Sequence, residues 1–136
     1  MVIGEPRSDN AVGLYLDSLK KALTNTICAA APFEESEAAF IRGYIDRYIQ
    51  GPAVSMLPLA RFDNLQFCVD DVVKSGVPGD LIESGVWRGG ATIFMREILK
   101  ARGVTDRLVW VADSFEGLPE PDAGGFQSRL KLTRAL

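Results

Sequence analysis

The chain has 136 residues, enough for one small domain around a single core. Hydrophobic residues make up 47% of it and charged residues 24%, the usage of a folding globular protein rather than a disordered or fibrous one. A net charge of -3 without a basic run excludes the footprint a nucleic-acid partner requires, and the absence of histidine removes Ser-His-Asp and Cys-His machines, histidine-bearing metal sites and the commonest general base. The opening Met1 to Asn10 carries no charged segment followed by an apolar stretch, and no later window approaches the roughly 20 apolar residues of a membrane span. A cytoplasmic protein without a membrane partner is expected.

From Asp9 to about Ala30, Val12, Tyr15, Leu16, Leu19, Leu23 and Ile27 recur at helical spacing, and Ser8, Asp9 and Asn10 offer N-cap oxygens. A second helix is predicted after Pro32, with Glu34, Glu35 and Glu37 at the positive end of its dipole. Phe40, Ile41, Tyr44, Ile45 and Tyr48 form its stripe, and Gly51-Pro52 stops it. A third helix runs from about Leu59 to Lys74, buries Phe62, Leu65, Val69, Val72 and Val73, and stops at Gly76 before Pro78. Together these helices read as a cap or extension over residues 1–76, with stripes that are packing surface rather than a cofactor box. Asp70-Asp71 reads as a solvated helix face. Cys28 and Cys68, spaced for neither a metal nor a redox pair, read as buried small hydrophobes.

The pattern changes at Gly79. Asp80-Leu81-Ile82-Glu83 reads as a short buried strand running into the turn Gly85-Val86-Trp87-Arg88-Gly89-Gly90. A helix follows, with Ile93, Phe94, Ile98 and Leu99 on its buried face, Arg96, Lys100 and Arg102 on its wet side, and Gly103 as its stop. Leu108 to Ala112 is a continuous apolar run ending in Asp113, the pattern of a parallel strand buried on both faces. The expectation is an α/β fold in which residues 77–122 open a cofactor-binding βαβ unit, followed by an irregular tail at 123–136.

In open α/β sheets ligands bind outside the carboxyl ends of the strands, so a glycine-rich turn after one strand and an acid after the next mark a site. Gly85, Gly89 and Gly90 allow a tight turn and close approach of a ligand, and the helix start supplies N–H donors. Asp113 can accept hydrogen bonds from both hydroxyls of a ribose. The turn reads Glu83-x-Gly85-x-x-x-Gly89-Gly90, not the G-x-G-x-x-G of a dinucleotide site, and its acid is placed to receive an ammonium. A plain βα turn ending in an ordinary strand-end charge is the alternative for the same residues.

The stretch Asp80 to Arg96, DLIESGVWRGGATIFMR, and the stretch Val109 to Pro119, VWVADSFEGLP, closely resemble the macrocin O-methyltransferase (TylF) family, whose members methylate sugar hydroxyls of macrolides and related natural products. The resemblance reaches upstream through Ser55-Met56 and Arg61 to Leu65, and covers the first two helices loosely. It implies a Rossmann-like class I methyltransferase fold with S-adenosylmethionine as cofactor. Glu83, Ser84, Gly85, Val86 and Trp87 would hold its methionine end, and Asp113 its ribose. Ser114, Phe115, Glu116 and Gly117 would line the adenosine side, and Ser55 and Met56 would close over the cofactor.

The resemblance also implies a magnesium ion held by aspartates after later strands, with a base beside it. Those motifs do not occur here, and Glu120 and Asp122 are given no metal role. The expectation is a chain of about half the family length, either incomplete or complemented by a C-terminal half. Its two-strand sheet would expose apolar edges and faces, so the expectation is poor stability, aggregation or pairing with another chain, as a homo-oligomer or with the complementing half. Three readings stand: an O-methyltransferase acting on a glycosylated natural product, a cofactor-binding remnant or half of a split enzyme, and a dinucleotide-binding fragment, against which the turn spacing speaks.

Overall fold

The computed structural model describes residues 8–27, 42–43, 45–46 and 50–117. Its elements follow in the order α1 (Ser8–Leu23), α2 (Leu59–Lys74), β1 (Leu81–Ser84), α3 (Gly90–Ala101) and β2 (Val109–Ala112). β1 and β2 pair in parallel, from Leu81 opposite Val109 to Ser84 opposite Ala112, with α3 as the crossover. The helix expected after Pro32 lies outside the described residues except at 42–43 and 45–46, which are helical. Cys28, Glu120, Asp122 and the tail at 123–136 also lie outside them.

Each helix ends on a residue in the left-handed region. After α3, Gly103 has φ 72, its N–H donates to Lys100 O at 3.0 Å, and Val104 N–H reaches back to Leu99 O at 2.9 Å. This paired arrangement satisfies the orphan carbonyls of the last turn. Gly76 ends α2 in the same way, through Val73 O and Val72 O. α1 uses Asn25, at φ 53, with Asn25 N–H on Ala22 O and Thr26 N–H on Lys21 O. It therefore stops at Leu23 rather than near Ala30, and Ile27 is exposed.

α3 is the hub, packed against α1, α2 and both strands. Its Phe94, Met95, Ile98 and Leu99 form one buried cluster with Leu16 and Leu23 of α1 and Phe62 and Val69 of α2. The Phe62 and Phe94 rings meet edge to face, with centroids 5.0 Å apart at 86°. Polar braces surround the cluster. Lys20 is buried, with Nζ 2.7 Å from Asp63 Oδ1, 3.1 Å from Asp17 Oδ1 and 5.9 Å from the Phe94 ring centroid. Burial works against its charge, but the two carboxylates outweigh that and raise its pKa. Tyr15 donates its hydroxyl to Glu97 Oε2 at 2.6 Å, joining α1 to α3.

Several expectations need correcting. Cys68 is exposed rather than buried. Asp70 is not a solvated charge, because Arg102 grips both its oxygens at 2.8 Å, and Arg102 accordingly is not simply on the wet side of α3. Along α3, Met95 faces the core and Ile93 is largely exposed. The strands are not buried on both faces: Leu81 and Val109 pack on the core, but Ile82 and Trp110, paired on the opposite face, are 67% and 54% exposed. Parallel strands read as continuous apolar runs because both faces are normally covered, and here α3 covers one.

Asp80 fixes the start of the strand pair. Its Oδ1 accepts from Leu108 N–H at 3.0 Å and its Oδ2 from Trp110 Nε1–H at 2.8 Å, and those two donors, the backbone one first, lower its pKa. Because Phe94 is fully buried where the three helices meet, Phe94→Ala is expected to cost about 3–5 kcal/mol. The midpoint of urea unfolding measures this, and a loss under about 1 kcal/mol would place the core elsewhere.

Candidate functional site

The turn between β1 and α3 takes left-handed backbone at Gly85, Trp87 and Gly89, with φ 79, 50 and 80. Glycine adopts this freely, whereas a tryptophan there is strained. Gly89 is the N-cap of α3 and donates its N–H to Val86 O at 2.8 Å. Glu83, on β1, reaches across to the helix start, where its Oε2 accepts the N–H of Thr92 at 2.8 Å and the Thr92 hydroxyl as well. A carboxylate at that position satisfies an orphan donor and faces the positive end of the helix dipole. Among the described residues no hydrogen bond reaches Glu83 Oε1.

Asp113, just after β2, ties the two strand ends together. Its Oδ2 accepts Val86 N–H at 2.6 Å and its Oδ1 accepts Phe115 N–H at 3.0 Å, while Gly85 N–H continues the ladder to Ala112 O at 2.9 Å. The Val86 amide, then the Phe115 amide, hold its carboxyl below the usual value. Ser114 Oγ accepts Glu116 N–H at 3.3 Å, Phe115 sits exposed at φ 57, and Gly117 has φ 78.

The segment 50–57 lies across the turn as a strap. Val54 and Ser55 N–H both donate to Leu23 O, at 2.9 and 3.1 Å, and Ser55 Oγ accepts Leu57 N–H at 3.1 Å. From the other side Arg88 Nη1 donates to Gly51 O at 2.8 Å and Ala53 O at 2.9 Å. Gly90 permits the contact, because a Cβ there would lie 2.4 Å from Ser55 Cβ and 2.6 Å from Val54 O. Strap and turn border an open cleft of about 90 Å³.

Six residues expected to contact the cofactor, Ser55, Met56, Glu83, Gly85, Val86 and Trp87, line this cleft, as does the turn glycine Gly90. Ser84 is an exposed strand-end residue, and Asp113 to Gly117 stand beside the cleft, joined to it through Val86, without forming its wall. Sequence reasoning missed the Arg88 contact with the strap, the Thr92 contact of Glu83 and the packing reason for Gly90. The Gly89-Gly90 pair was the only hint of the last. Among the described residues no group of three or more acidic or cysteine side chains is placed to hold a metal ion, and no helix is long and apolar enough to cross a membrane.

Residues 44–134 match the model of the macrocin-O-methyltransferase (TylF) family. The chain is 50% identical over 120 residues to the 8-demethyl-8-(2,3-dimethoxy-alpha-L-rhamnosyl)-tetracenomycin-C 4'-O-methyltransferase of Streptomyces olivaceus, covering 85% of this chain and 46% of that protein. It is 48% identical over 114 residues to the mycinamicin III 3''-O-methyltransferase of Micromonospora griseorubida, covering 80% and 45%. The solved structure of the O-methyltransferase NovP superposes with a TM-score of 0.66 at 41% identity, over 91% of this chain and 52% of that one. The chain thus spans about half the length of the curated relatives it matches.

Two outcomes follow from the geometry. Gly90→Ala forces Ser55 and Val54 away and is expected to lower stability by about 1–3 kcal/mol in urea unfolding; unchanged stability would mean the strap does not rest there. Asp113 has a depressed folded pKa, so its contribution is complete above the unfolded value near 3.8 and is lost as pH falls through the lower folded value. The Val86 amide resonance should therefore titrate with a midpoint below 3.8, and a midpoint at or above it would refute the clasp.

Proposed function

The chain belongs to the macrocin-O-methyltransferase (TylF) family, and on that premise we propose that it carries the cofactor-binding part of an O-methyltransferase that uses S-adenosylmethionine. The observation that carries this reading is the meeting of strap and turn in one cleft, with Glu83 in its wall and Asp113 tied to its edge. The groups present fit the cofactor. Glu83 offers an oxygen without a hydrogen bond among the described residues for the ammonium of the methionine end, and the glycine turn leaves the backbone approachable. Each Asp113 oxygen accepts one N–H and keeps a second lone pair for a ribose hydroxyl.

In this proposal Glu83 to Trp87 hold the methionine end, Asp113 the ribose, Ser114 to Gly117 the adenosine side, and Ser55 and Met56 the cover. Bound S-adenosylmethionine supplies a methyl group for in-line transfer to a hydroxyl oxygen, while a base takes the hydroxyl proton. The residues of this chain bind and orient that donor. Thr92 fixes the Glu83 carboxylate, the Val86 amide fixes Asp113, and the strap keeps water from one side of the cleft.

The acceptor proposed is a hydroxyl on the sugar of a glycosylated natural product, in line with the rhamnosyl-tetracenomycin in the name of one curated relative. The magnesium ion that the family resemblance implies has no fitting donor cluster among the described residues. Further parts of the proposal are a helical cap at 1–76 over a cofactor-binding unit at 77–122, a cytoplasmic location, and a second chain or complementing half against the open sheet.

Calorimetry with S-adenosylhomocysteine, S-adenosylmethionine and NAD tests the reading. The first two should bind and raise the unfolding temperature, and NAD should not. Asp113→Asn, which keeps an acceptor for Val86 N–H, should weaken binding about tenfold. Preference for NAD, or no loss in the variant, would overturn the assignment.

A further inference from the structure

We propose that Arg88 is a positioning residue that sets the width of the cleft by bracing its roof against its floor. The inference rests on reading the cleft as the S-adenosylmethionine site.

The strap has no helix or strand to hold it. Its inner side is tied to Leu23 O through the Val54 and Ser55 amides and rests on the core through Val54 and Leu57, with Ala53 and Ser55 buried. Its outer end, at 51–53, is held by Arg88 through two carbonyls, Gly51 O and Ala53 O. The same guanidinium lies 4.4 Å from the centroid of the Trp87 ring, and Trp87 belongs to the opposite wall. One planar cation therefore touches both sides of the cleft. The stack also helps to hold Trp87 at φ 50, a conformation its own backbone disfavours.

Lysine cannot replace this group. Its ammonium can donate to carbonyls, but it has no planar face to lie flat on the indole while doing so. Movement of the outer end of the strap away from the turn breaks the two Arg88 bonds and widens the cleft. Arg88 thus latches the edge of the cleft, and it lies outside the residues proposed to contact the cofactor.

The test uses the full chain and its Arg88→Ala and Arg88→Lys variants, with two readouts. In ligand-free protein, hydrogen exchange at 51–57 should speed up in both variants while the amides of Phe94 to Leu99 keep their protection. With S-adenosylhomocysteine, the dissociation rate should rise about tenfold and the association rate change little. Unchanged strap exchange overturns the proposal whether or not a ligand binds. Exchange raised equally across α3 shows a general structural role and overturns it too, as does a wild-type dissociation rate in both variants. Failure of the wild-type chain to bind S-adenosylhomocysteine instead refutes the cofactor assignment, and strap exchange alone then decides whether Arg88 holds the strap. If Arg88→Ala does not fold, Arg88→Lys carries both readouts.

Discussion

The molecule is organised by the first turn of α3. A helix start has backbone donors with no partner in the helix and a positive dipole end, and it must be satisfied wherever it is placed. Glu83 comes from the preceding strand to take the Thr92 N–H, which fixes the angle between β1 and α3. The missing side chain of Gly90 lets the strap press against the same turn, and Gly89 lets the chain enter the helix from a left-handed position. From that point the rest of α3 projects Phe94, Met95, Ile98 and Leu99 into the core shared with α1 and α2. Site and core are two ends of one helix, so displacement of either is felt at the other.

The sheet itself is slight. Four residue pairs in two parallel strands bury one face, and such a unit is marginal without help. The help comes from a carboxylate at each end. Asp80 gathers the Leu108 amide and the Trp110 indole before the pairing begins, and Asp113 gathers the Val86 and Phe115 amides after it finishes. Both side chains bind backbone donors of the partner segment, so register is held from outside the ladder as well as within it. The face with Ile82 and Trp110 stays open among the described residues.

Local chemistry explains which features could be read from the sequence. α2 was legible to its ends, because its apolar stripe has a clean helical period and Gly76 followed by Pro78 marks its stop. The turn from Glu83 to Gly90 and the acid at Asp113 were legible because strand, glycines and helix lie within a short stretch. The end of α1 was not, since a left-handed asparagine such as Asn25 is a weaker stop signal than glycine and the apolar period continues past it to Ile27. Arg88 with Gly51 and Ala53, and Gly90 with Ser55, join residues about 35 positions apart, and no local pattern announces such a contact. Strand burial misled for a related reason: an apolar run records that both faces are suited to cover, not which face α3 covers.

Trp87 and Phe115, bulky residues on the two loops that leave the strands, both hold left-handed backbone, at φ 50 and 57. Conformations of this kind cost on the order of 1–3 kcal/mol each and persist where surrounding contacts enforce them. Glycine at either position would relieve that backbone strain. At Trp87 it would also remove the aromatic ring that lines the cleft, so shape there is kept against a local backbone cost.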